Sequence, residues 1–300
     1  MRTLPSVVVV AIVVAIVVTI VAAITASTPT GVYSRTPPST ARPPAASGYI
    51  GFDRNEYPGD ANLKNLHYIF SYSGYWLNNP PGARGNSWIG KRKTLQSAGF
   101  GFLVLFNGRT YAEIKAARDA TKLGQSDAAA AVRAARAEGF PPMTVIFLDQ
   151  EQGGRLLPEQ RSYLLAWVDG VTAANFGAGV YCSGIAAKED SGVSIVTAED
   201  IRDHANGRKI EYWVVNDSCP PSPGCIVSKT NLSPASSGLS FADVWQYSQS
   251  PRRPDFARDC RASYDKNGNC YAPSATGSQR LYVDLDVAAS SDPSHGRSTQ

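Results

Sequence analysis

The sequence predicts an α/β fold: a single eight-stranded (β/α)8 barrel of TIM type, or a modification of it. Two observations predict it. From Tyr49 onward, short apolar runs alternate with helical stretches, as parallel strands joined by crossover helices require. The runs number eight, and the chain left after residues 1–47 is close to the roughly 250 residues of such a barrel. A doubly wound open sheet is the structural alternative. The turn after the first run lacks the Gly-x-Gly-x-x-Gly fingerprint of a dinucleotide site in that fold.

The elements follow in order. Arg2 precedes an apolar stretch, Val7–Ile24, interrupted only by Thr19. It is longer than the usual signal-peptide core of about 7–15 residues and just reaches a spanning length. Residues 1–26 are therefore either a cleaved signal peptide or an uncleaved membrane anchor. Both readings place the rest of the chain outside the cytoplasm. Residues 27–47 carry Pro29, Pro37, Pro38, Pro43 and Pro44 among Ser, Thr and Ala, a semi-rigid linker that buries no core. The barrel is expected over residues 48–289. Its strands are read at Tyr49–Asp53, Tyr68–Tyr72, Phe100–Phe106, Thr144–Asp149, Gly179–Cys182, Ile210–Asn216, Val244–Ser248 and Leu281–Val287. Helices are expected over Trp88–Ala98, over an Ala-rich stretch capped by Ser126-Asp127 and ended by Gly139, and over Pro158–Ala174. Residues 290–300 are polar and are expected to fray.

Composition narrows the function. Hydrophobic residues make up 43% and charged residues 18%, which supports a packed core and excludes wholesale disorder. A net charge of +4, evenly spread, gives no nucleic-acid footprint. Nothing in the chain argues against a monomer. His67, His204 and His295 share no metal-ligand spacing, and no Cys-x-x-Cys pair exists, so neither a metal nor a cofactor is expected. Gly85–Lys91 has phosphate-loop spacing but continues with Arg92 instead of Ser or Thr. Cys219 and Cys225 bracket a Pro-rich loop, and Cys260 and Cys270 bracket a polar one. Both pairs are expected to close disulfides in an oxidising compartment, leaving Cys182 as a buried thiol.

The informative pattern is where carboxylates fall. Asp53 ends the first run, Asp149 and Glu151 end the fourth, Asp217 ends the sixth, and Asp284 and Asp286 lie in the eighth. The C-terminal ends of barrel strands surround one pocket. Period two puts Asp149 and Glu151 on one face. Carboxylates crowded into a pocket raise one another's proton affinity, so one stays protonated while another stays ionised. A strand-end aspartate also serves as a helix cap or turn residue, and that alternative stands for Asp53 and Asp217. Of Asp284 and Asp286 one is expected to be structural, and Asp284 is assigned to the pocket. Tyr72, Trp76, Tyr181, Trp213 and Trp245 lie at or near strand ends, where flat rings stack on sugars; core packing is the alternative for each. Trp76, in a Tyr-Trp-Leu-Asn-Asn-Pro loop, is expected to be exposed.

Phe52-Asp53, Asp149-x-Glu151, Gly179-Val-Tyr181, Trp213-Val-Val-Asn-Asp217, Trp245-Gln-Tyr247 and Val283-Asp-Leu-Asp286, in that order, resemble family 25 glycoside hydrolases, the lysozyme-type muramidases. They resemble equally the related glycoside-hydrolase-like domain of exported bacterial proteins. The resemblance covers about residues 49–288. It implies a modified α/β barrel in which Glu151 is the general acid toward the leaving glycosidic oxygen. Asp149 would position the substrate's acetamido group or stabilise positive charge at the sugar. Asp53 and Asp217 would line the same pocket, with Trp245 and Gln246 in its wall. The Cys219–Cys225 segment, the polar stretch 249–280 and Arg54-Asn55-Glu56 depart from the muramidase pattern. The function so implied is an exported hydrolase of an N-acetylated polysaccharide such as peptidoglycan. The alternative is a non-catalytic carbohydrate- or wall-binding barrel.

Overall fold

The computed structural model describes residues 48–216, 232–249, 271–272 and 281–297. They lie within one compact unit, Pro44–Gln300. Among the described residues twelve strands occur: β1 (Tyr49–Asp53), β2 (Tyr72–Trp76), β3 (Gly101–Asn107), β4 (Val145–Asp149), β5 (Gly177–Ser183), β6 (Ala186–Lys188), β7 (Ser194–Val196), β8 (Glu211–Val215), β9 (Val244–Ser248), β10 (Tyr271–Ala272), β11 (Leu281–Tyr282) and β12 (Asp284–Ala288). Six α-helices accompany them: α1 (Leu63–His67), α2 (Arg92–Ser97), α3 (Tyr111–Ala116), α4 (Ala120–Glu138), α5 (Pro158–Ala173) and α6 (Thr197–Asp203).

Eight of the strands close a barrel in the order β1-β12-β9-β8-β5-β4-β3-β2. Seven run parallel. The apolar runs of β3 and β4 are buried along nearly their whole length, as strands covered on both faces must be. The last strand is the exception: β12 pairs antiparallel with both β1 and β9. The start of β12 therefore sits at the mouth, beside the ends of the other strands. A bulge between Leu285 and Asp286 shifts its register against β9. β6 and β7 form a small hairpin outside the barrel.

The second strand starts four residues later than expected, at Tyr72, because Tyr68 is 94% exposed at the end of α1. The Ala-rich helix also differs. Its N-cap is Asp119, whose carboxylate accepts from the Lys122 amide at 3.0 Å. Asp127, expected as a cap, lies inside the helix and is buried, where it holds Arg109 and Tyr163. α4 stops at Gly139, with φ of 79°. It packs closely on α5 because small residues face each other: a side chain at Gly124 would meet the Tyr163 carbonyl at 2.3 Å.

The tail corrects the expectation of fraying. Residues 290–297 dock under the barrel, at the end opposite the mouth. The Val145 amide donates to the Ser294 carbonyl and the Ser294 amide to the Phe102 carbonyl, both at 2.8 Å. Asp292 accepts from the Phe102 amide, and Arg92 donates to the Gly296 carbonyl. Polar composition concealed a segment held by backbone bonds. Among the described residues no helix is long and apolar enough to cross a membrane. The expectations for residues 1–47, Asp217, Cys219, Cys225, Cys260 and Cys270 fall outside the described residues. Cys182 is a buried free thiol whose pKa burial pushes up.

Candidate functional site

The mouth is built strand by strand. β1 delivers Asp53. Two residues earlier Gly51 leaves room for Tyr72, since a Cβ there would stand 2.1 Å from that ring. After Asp53 two indoles fix the chain: Trp76 Nε1 donates to the Arg54 carbonyl at 3.1 Å and Trp88 Nε1 to the Asn55 carbonyl at 2.9 Å. β4 delivers Asp149. The Gln150 amide still donates to the Tyr181 carbonyl of β5 at 3.0 Å, so Glu151 stands just beyond the strand, exposed. β5 supplies Tyr181, β8 supplies Trp213, β9 supplies Gln246, and the reversed β12 supplies Asp284.

These residues meet. Asp53, Asp149, Glu151 and Asp284 share one pocket of about 180 Å³ with Trp76, Tyr181, Trp213 and Gln246. Arg54, Asn55, Pro81, Leu105 and Gln249 complete its lining. A polar chain crosses the floor. Tyr181 Oη donates to Gln246 Oε1, and Gln246 Nε2 donates to Asp53 Oδ2, both at 2.8 Å. The rings of Tyr181 and Trp213 lie 4.4 Å apart, tilted by 54°. Below the pocket, Asp286 is fully buried and accepts from Trp213 Nε1 at 3.0 Å.

Burial dominates the electrostatics. It raises the proton affinity of Asp53, and the nearby Asp284 adds to the effect. Burial likewise holds Asp149 well above the ordinary carboxylate range, with Glu151 and then Asp53 reinforcing it. Asp286 is raised by burial and then by Asp53 and Asp284. Asp149 Oδ1, Asp286 Oδ2 and the hydroxyls of Tyr72 and Tyr247 have no hydrogen-bond partner among the described residues. The mouth therefore couples buried carboxyls of raised proton affinity to an exposed glutamate, an arrangement suited to proton transfer at a ligand.

Of the residues read from the sequence, Asp53, Asp149, Glu151, Asp284, Trp76, Tyr181, Trp213 and Gln246 come together. Tyr72 and Trp245 do not line the pocket. The Tyr72 ring packs over Gly51, and Trp245 sits against Tyr247 with its Nε1 bonded to the Asn216 carbonyl. Trp76 is only 4% exposed, against the expectation of an exposed ring, because its indole is committed to the Arg54 carbonyl. Sequence reasoning missed Trp88, which lies within the phosphate-loop-like stretch and anchors the loop after β1. No group of histidine, cysteine and acidic residues able to hold a metal ion occurs among the described residues.

A closed barrel whose strand ends gather four carboxylates and three aromatic rings around one pocket is a glycoside-hydrolase-like barrel. The sequence model of the Rv2525c-like, glycoside hydrolase-like domain matches residues 73–222, half of the chain, and the chain belongs to that family. No curated protein matches it significantly. Among solved structures, an uncharacterized protein of B. stearothermophilus is 16% identical with a TM-score of 0.51, over 80% of this chain and 96% of that one. The likeness shows the fold. The Tat-secreted protein Rv2525c of Mycobacterium tuberculosis, in complex with HEPES, is 13% identical with a TM-score of 0.48, over 83% of this chain and 98% of that one. The bacterial lysozyme of Streptomyces coelicolor is 12% identical with a TM-score of 0.44, over 81% and 93%.

Proposed function

We propose that this protein is an exported glycoside hydrolase of an N-acetylated polysaccharide, with cell-wall peptidoglycan as its substrate class. One observation carries the reading: Asp53, Asp149, Glu151 and Asp284 converge on a single aromatic-lined pocket at the barrel mouth. Glu151 is the general acid. It gives its proton to the glycosidic oxygen as the bond from that oxygen to the anomeric carbon breaks. Water then adds at the anomeric carbon, and the proton it releases returns to a pocket carboxylate. Asp149, beneath it, orients the acetamido group or offsets positive charge developing at the sugar. Asp53 lines the site. Trp76, Tyr181 and Trp213 supply ring faces for the sugar. The N-terminal apolar segment directs export, and the two cysteine pairs close as disulfides outside the cytoplasm.

One observation favours the alternative, a carbohydrate-binding barrel without turnover. The acid pocket encloses about 180 Å³, less than the roughly 300–1,000 Å³ of ordinary ligand sites. Release of reducing ends from purified peptidoglycan by residues 48–300 decides between them. Release that disappears in Glu151→Gln supports the hydrolase. Binding to the polymer without release supports the alternative.

A further inference from the structure

Glu151 makes no hydrogen bond or ion pair among the described residues. Its place at the pocket therefore rests on the chain that carries it. That chain leaves β4 with the Gln150 amide bonded to the Tyr181 carbonyl, and it enters α5 at Pro158. Between the two lies a loop without regular structure, residues 150–157. Such a loop keeps one conformation only if its polar groups find partners in the scaffold around it.

One helix supplies two of the partners. Thr197 opens α6 and is fully buried, and its Oγ1 donates to the Gly154 carbonyl at 2.9 Å. Asp200 is 6% exposed, and its Oδ2 accepts from the Leu156 amide at 3.0 Å. The spacing of three residues puts both side chains on one face of α6. Gly154, with φ of 89°, is where the loop bends beside the β6–β7 hairpin; a Cβ there would stand 3.7 Å from that of Ala187. From the other side Gln160 of α5 donates to Gln152 Oε1 at 2.8 Å.

The charges have the same plan. A buried carboxylate is costly unless donors and cations surround it. Asp200 has Arg155 of the loop at 3.8 Å, Arg161 of α5 at 3.5 Å and His204 of its own helix at 3.4 Å. It ties the loop to α5 and α6 together. Neither Asp200 nor Thr197 lines the acid pocket, so any effect they have on the chemistry passes through the loop.

We propose that Asp200 and Thr197 are positioning residues: from α6 they clamp the loop after β4 and so fix Glu151 at the pocket. The inference rests on the hydrolase reading above for its effect on turnover, and on the loop itself for the clamp. Three variants of the full chain test it. Thr197→Val keeps the shape and loses the hydroxyl, Thr197→Ser keeps the hydroxyl, and Asp200→Ala removes the carboxylate. Hydrogen exchange read by mass spectrometry reports the loop, and reducing-end release from soluble peptidoglycan glycan strands reports turnover. Thr197→Val and Asp200→Ala are expected to speed exchange in residues 150–157 about tenfold, with the barrel strands exchanging as in the parent. In both, kcat should fall by about 10–100-fold while KM stays within about threefold. Thr197→Ser should keep parent values in both measurements. Should Asp200→Ala fail to fold, the two Thr197 variants carry the test. The proposal is overturned if folded Thr197→Val exchanges as the parent does, or if its loop loosens and kcat is unchanged. A parent that releases nothing rejects the hydrolase reading; faster exchange in the variants then still keeps the clamp on Glu151, and parent-like exchange rejects it as well.

Discussion

Gln246 and Asp53 are 193 residues apart in sequence, and their side chains meet at 2.8 Å inside the barrel. β12 lies between their strands, so the bond spans a neighbour. Gln246 also accepts from Tyr181, which makes it the link between β1 and β5 across the floor of the mouth. Gln246→Leu strands Asp53 Oδ2 and the Tyr181 hydroxyl, at about 1–3 kcal/mol for each buried group left unpaired. The expected outcome is a Tm lower by roughly 4–10 °C in calorimetry. A Tm equal to that of the parent would mean that water replaces Gln246 at no cost.

Glu151 stands in the solvent and makes no hydrogen bond or ion pair among the described residues, unlike the buried acids beneath it. Glu151→Gln is therefore expected to leave Tm within about 1–2 °C of the parent, as exposed substitutions do. Reducing-end release should fall by about 10²–10⁴, the share of a general acid. If the variant unfolds, Glu151 is a structural carboxylate; if it still releases sugar at the parent rate, another group delivers the proton.

The buried floor predicts an unusual dependence of stability on pH. Asp53, Asp149 and Asp286 all have raised pKa values in the folded chain, chiefly through burial. Between the unfolded carboxylate value and the raised folded value, the folded state binds more protons than the unfolded state. Their contribution is fully present below the unfolded value and is lost as pH rises through the folded values. The barrel should melt higher near about pH 5 than near about pH 8, and Asp286→Asn should flatten that slope. Thermal melts across this window check it; a stability that rises with pH would contradict the protonated floor.

The docked tail predicts that a chain ending at Ala289 loses stability. It would lack the partners of the Val145 and Phe102 backbone groups and of Arg92. A Tm drop of more than about 5 °C is expected, since several buried groups lose partners together. A shortened chain that melts with the parent would show that the tail only rests on the barrel.

The strands were legible because each is a short apolar run between turn signals, and burial on both faces leaves that run unbroken. The direction of β12 was not legible, since period two reads alike both ways and pairing decides it. Local signals misled where tertiary contacts outweighed them. Ser126-Asp127 has the form of a helix cap, but Arg109 and Tyr163 claim Asp127 in the helix interior. The acids of the mouth were legible from their place after apolar runs. Trp76 read as a loop aromatic; its indole proved to be committed to the Arg54 carbonyl.

The reversal of β12 has a consequence for how the molecule is approached. Tyr49 and Ala288 pair side by side at the base of the barrel. The described chain thus enters and leaves on one side, with residues 290–297 folded beneath. Had the last strand been parallel, the exit would have crossed the rim of the mouth. As it is, the domain has a back and a front: a surface, a support or a fused partner joined at Tyr49 or Ala288 meets the back, and the acid pocket lies at the front.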